Sequence, residues 1–165
     1  MRFVILILLP FLAIFLQSTL FHSYSIKGTV PDLVLVFVVF YAMLHPSNKS
    51  AAYGFACGLL EDLFMGRVIG INAIAKAVTA FLLSKMQGNV FQENVLVGVM
   101  GVILGSIINA VILLILSLTS FVVFHFDPTI FMQVLYQILY NGILAAPIYF
   151  MYYRSSHRGW LRENR

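Results

Sequence analysis

Charge is scarce in this sequence. Only 10% of the 165 residues are Asp, Glu, Lys or Arg and 61% are hydrophobic, whereas ordinary soluble domains carry about 25% charged and roughly 45–50% apolar residues. A water-soluble globular protein is excluded on that balance. Cysteine is nearly absent as well. A lone Cys57 rules out an intramolecular disulfide, and with no CxxC or Cys/His company it offers no metal site; inside an apolar run it reads as a small packing residue. Catalytic signatures are missing too: there is no Walker A loop, GxSxG elbow, HExxH pair or GxGxxG after a strand. The histidines, His22, His45, His125 and His157, lie in or beside loops or the tail without paired-ligand spacing. The strict apolar/polar alternation of a membrane barrel is lacking, as are repeats and low-complexity tracts. These absences leave no catalytic residue, cofactor or metal to assign, and the expectation is a protein that is not an enzyme.

What the sequence does have is long apolar runs. A hydrocarbon core of about 30 Å takes around 20 apolar residues per helical crossing, and run lengths with their Gly, Pro and polar breaks predict six helices, at 3–22, 31–45, 50–65, 71–87, 94–118 and 129–153. The fold class is therefore an all-α integral membrane protein, a six-helix transmembrane bundle forming a single domain over 1–165. The opening run is too long for a signal-peptide core and no A-x-A-like cleavage site follows it, so it reads as the first membrane helix. "TSFVVFHFDP" (119–128) is too apolar for an ordinary loop and reads as interfacial or as an extension of the fifth helix.

Basic residues set the expected orientation. With both termini cytoplasmic, Arg2, Lys49, Lys85, Arg154, Arg158, Arg162 and Arg165 fall inside, and only Lys27 and Arg67 fall outside, as the positive-inside rule favours. Tyr149, Tyr152 and Tyr153 then belong at the inner headgroup level. The tail "RSSHRGWLRENR" reads as a topology anchor beside the lipid bilayer rather than as a nucleic-acid patch.

Against this apolar background the polar residues stand out. Asp62 and Lys76 fall at similar depth on antiparallel neighbours and predict an interhelical ion pair. Glu61, turned about 100° from Asp62 around the helix, is expected to point elsewhere. Asp32 after Pro31 reads as a helix start, with proline in the first turn and a carboxylate on the helix dipole. A shared polar region of Asp32, Glu61 and Asp62 in the outer half is the alternative. Gly54 and Gly58 form a GxxxG, and Gly98, Gly101 and Gly105 a glycine stripe, both signs of close helix packing. Gln133, Gln137 and Asn141 line one face of the last helix, with Asn109 or Ser106 as expected hydrogen-bond partners.

The runs "VPDLVLVFVVFYAML" and "AAYGFACGLLEDLFMGRVIGINAIAKAVTAFL" resemble the MreD family of rod shape-determining proteins. In that family a Pro-Asp opens the second helix, and a G-F-x-x-G-L-L-x-D-x-x-x-G-x-x-x-G-x-N-A run spans the third and fourth. The matching positions are Pro31, Asp32, Gly54, Phe55, Gly58, Leu59, Leu60, Asp62, Gly66, Gly70, Asn72 and Ala73; Lys76 lies outside the pattern. The resemblance implies a role in the bacterial elongation machinery, in the cytoplasmic membrane. The implied partners are MreC, MreB filaments, the glycosyltransferase RodA and a penicillin-binding transpeptidase. The implied fold is like that of the substrate-binding components of energy-coupling-factor vitamin transporters, which makes a vitamin-binding transporter subunit the alternative function. Such a subunit needs a pocket of several hundred Å³ with convergent polar groups.

Overall fold

The computed structural model describes residues 2–23, 28–65, 68–86, 95–119 and 129–158. Within them the chain forms six helices: α1 (Arg2–Ser23), α2 (Leu33–Leu44), α3 (Ser47–Met65), α4 (Ile71–Met86), α5 (Val95–Thr119) and α6 (Thr129–Arg158). Gly66, Lys27, Arg67, the Gly88-Asn89 break, residues 120–128 and the end of the basic tail lie outside the described residues.

The axis of the bundle is α2. Its sequence, LVLVFVVFYAML, is apolar all round, and a helix with no polar face is stable only where it is covered on every side. It touches all five other helices, and most of its side chains are fully buried. At 12 residues it is about 18 Å long, too short to cross a bilayer unaided. It begins two residues later than the apolar run because Asp32 is its N-cap: the carboxylate accepts from the Leu35 N–H at 2.8 Å. At the far end the His45 carbonyl accepts from the Ser50 and Ser84 hydroxyls, at 3.1 and 2.7 Å. These bonds tie the end of α2 to the start of α3 and the end of α4.

The α3–α4 hairpin is the most extensively packed pair. A Cβ on Gly58 would overlap the Asn72 carbonyl and sit 2.7 Å from the Ala73 Cα, and one on Gly54 would sit 2.6 Å from the Lys76 carbonyl oxygen. The two helix backbones thus run in contact, as small residues allow where lipid gives no hydrophobic drive. With Gly58 against Ala73 the start of α4 falls level with about Leu60, and the last turn of α3 projects beyond it. On α5, Gly98 faces the Tyr149 ring, Gly101 the Met43 side chain and Gly105 Val39 and Leu83. Tyr149 is therefore a core residue, edge-on to Phe40 at 5.4 Å between centroids, and not the headgroup anchor expected of it: the glycine at position 98 leaves the space that its ring fills.

The polarity of the molecule is inverted relative to a soluble protein. Lys76, Asp62 and Asn141 are 0% exposed, while Phe131, Leu96 and Ile143 are more than 70% exposed. Val95–Thr119 and Phe131–Phe150 are long and apolar enough to cross a membrane, and the bare apolar faces suit lipid rather than water.

Candidate functional site

The buried polar residues gather at the end of the bundle where α2 begins, α3 ends and α4 starts. Lys76 of α4 is the hub. Its ammonium lies 2.9 Å from Asp32 Oδ2 and 2.6 Å from Glu61 Oε2; the first contact is an aligned hydrogen bond, whereas the second is an ion pair outside hydrogen-bond geometry. A lysine side chain on α4 leans toward the helix N-terminus, and a glutamate on α3 leans back toward its own. The two therefore meet between their levels in the antiparallel pair.

Asp62 does something else. The expected Asp62–Lys76 pair is not formed. Asp62 lies one residue nearer the end of α3 and about 100° further round, which turns it to the open amide end of α4. There its carboxylate accepts from the Gly70 N–H (2.8 Å), the Asn72 N–H (3.3 Å), the Asn72 side-chain amide (2.8 Å) and the Ala73 N–H (3.2 Å). The first turn of a helix leaves four N–H groups without intrahelical partners, and a buried carboxylate is a strong acceptor for them. Gly70 takes a positive φ of 105°, which a glycine adopts without steric cost. The expectation that Glu61 points elsewhere is likewise overturned, since it is Glu61 that shares Lys76 with Asp32.

The helix-six stripe contributes one core residue. Asn141 accepts the Asp32 backbone N–H at 2.8 Å and donates to the Ser106 hydroxyl at 3.0 Å, joining α6, α5 and the start of α2. Gln137 reaches the Val30 carbonyl at 3.5 Å, and Gln133 is exposed. Asn109 is not the partner of this stripe: it is buried one turn beyond Ser106, and its Oδ1 has no hydrogen-bond partner among the described residues.

Beside this network lies a cavity of about 620 Å³, bounded by α1, the segment before α2, the end of α3, α5 and α6. Asp32, Glu61, Asn72, Gln133 and Gln137 line it, together with Gln17 and Thr29, which sequence reasoning missed. A lone Gln in the apolar α1 was the available signal. No group of His, Cys, Asp and Glu suited to a metal ion occurs among the described residues.

The residues that make this geometry are those of the Gly-Asp-Gly-Asn-Ala run, and a family model described as rod shape-determining protein MreD matches residues 1–155. The chain belongs to the MreD family. Membership implies a role in rod shape determination and places the chain in a family of membrane proteins. No curated protein and no solved structure matches the chain. In this MreD-family chain the motif is a construction plan for the α3–α4 hairpin: Gly54 and Gly58 admit the α4 backbone, Asp62 caps α4, and Gly70, Asn72 and Ala73 donate to the cap.

Proposed function

We propose that the chain is a non-enzymatic membrane scaffold of the bacterial cell-elongation machinery. In this reading it works with MreC, and through it with MreB, RodA and a penicillin-binding transpeptidase during peptidoglycan synthesis. The observation that carries the proposal is the family match across nearly the whole chain. The geometry agrees with it. Asp32 and Asp62 both serve as helix caps, so two of the three buried acids at this end are engaged in holding the bundle together. The broad apolar faces of α1, α5 and α6 offer a partner helix contact within the bilayer.

All six helices are taken as membrane-embedded in the cytoplasmic membrane, in a bundle of the energy-coupling-factor substrate-binding kind, with both termini cytoplasmic. The exposed Lys49 and Lys85, at the start of α3 and the end of α4, sit at the same end of the hairpin, which supports that orientation.

The test is rescue of rod shape in cells depleted of the chain, read together with recovery of MreC. Intact chain restores rods and retains MreC. Rescue by variants that accumulate normally but retain no MreC would refute the scaffold reading. The cavity favours ligand binding as a second property, but binding does not by itself make a transporter.

A further inference from the structure

The 620 Å³ cavity has the size of a small-molecule site, about 300–1,000 Å³, and buried polar side chains line it. Gln17 and Thr29 are each only 7% exposed, yet Gln17 Oε1 and Thr29 Oγ1 have no hydrogen-bond partner among the described residues. Burying such a group unpaired is costly, so two beside one cavity point to a ligand that completes them. Charge points to its chemistry. Asp32 and Glu61 share one ammonium, Lys76; both carboxylates line the cavity while Lys76 lies behind them, fully buried. Among the described residues the wall therefore has a carboxylate in excess, beside two lining side chains, Gln17 and Thr29, whose oxygens are buried and unpaired.

We infer that this cavity binds a small molecule through a primary ammonium group, which donates to Glu61, Gln17 and Thr29. The source of the ammonium is a free small amine or the headgroup of an aminophospholipid. A scaffold of this kind would then carry a chemical input as well as protein contacts.

The experiment uses the full chain in nanodiscs of phosphatidylglycerol, which has no ammonium group. Ethanolamine is titrated against its neutral analogue ethylene glycol and its anionic analogue glycolate, with the unfolding midpoint as readout. The expected result is an upward shift of at least about 2 °C with ethanolamine alone. Nanodiscs containing phosphatidylethanolamine separate the sources: one lipid retained in native mass spectrometry, with the shift already present, identifies the headgroup, and a shift only with added ethanolamine identifies a free amine. Gln17→Leu with Thr29→Val removes no hydrogen bond found among the described residues; an unliganded unfolding midpoint like that of the parent checks that it folds, and it should weaken binding by about tenfold or more. Equal shifts for the three probes, no shift with either source, or an undiminished response in the double variant would each overturn the proposal. So would a response that appears only when Lys27 or Arg67 is replaced by Met, because a cation of the chain itself would then fill the site. Rod-shape rescue and MreC recovery are read separately, so loss of this inference leaves the scaffold reading standing.

Discussion

Asp32 and Lys76, 44 residues apart in sequence, are joined by a buried hydrogen-bonded ion pair at 2.9 Å. The same aspartate caps α2 through its other oxygen. One side chain thus fixes the start of the central helix and anchors it to α4.

Removal of Lys76 strands two carboxylates. Lys76→Met should lower stability by about 3–5 kcal/mol, the cost of leaving buried charge unpaired. Adding Glu61→Gln to Lys76→Met should cost less than the sum of the two single changes, with a coupling of about 0.5–3 kcal/mol. Melting midpoints of the two single variants and the double in detergent provide the check. Additivity within about 0.5 kcal/mol would show that the pair does not meet.

Asp62 should behave independently of Lys76. Asp62→Ala deprives the Gly70, Asn72 and Ala73 N–H groups of their acceptor. A lost N-cap costs about 0.5–2 kcal/mol, and loss of a buried charged acceptor from several donors raises that figure. Asp62→Asn, which keeps one acceptor oxygen, should be milder. Combination of Asp62→Asn with Lys76→Met should be near additive, and strong coupling between them would restore the direct pair.

The glycines should rank by what faces them. Gly58→Ala meets backbone and should be the most damaging, with Gly54→Ala close behind it. Gly101→Ala meets only the flexible Met43 side chain, and Gly142→Ala meets Ile103 at 3.4 Å, an ordinary contact. Yield of folded protein should therefore fall in the order Gly142, Gly101, Gly54, Gly58. Normal accumulation of Gly58→Ala would contradict the backbone contact between α3 and α4.

Much of this fold was legible in the sequence, because apolar run length and Gly/Pro breaks report helices directly. The expected 31–45 helix starts at Leu33 and the 129–153 helix continues to Arg158, differences at caps and frayed ends that hydropathy does not resolve. The site was less legible. Sequence counting placed Asp62 and Lys76 at similar depth, but α3 projects past the start of α4, a register set by the contact of Gly58 with Ala73. That shift hands Lys76 to Glu61 and Asp62 to the amides. Asn141 stood out as part of a polar stripe, yet its acceptor role for the Asp32 N–H across 109 residues depends on tertiary contact that no local pattern encodes.

The orientation also has a direct check. In a Cys57→Ala background, Val68→Cys should react with an impermeant thiol reagent in intact cells, and Ser155→Cys only after permeabilisation. Labelling of Ser155→Cys in intact cells would reverse the topology.

If this MreD-family chain serves as a scaffold, the composition of its complex must show it. The measurement is quantitative mass spectrometry of the tagged chain purified from native membranes in mild detergent. MreC is expected at a fixed stoichiometric ratio to the chain, kept by Gly142→Ala and lost with Gly58→Leu. Recovery of an ATPase module in fixed ratio, with MreC absent, would contradict it.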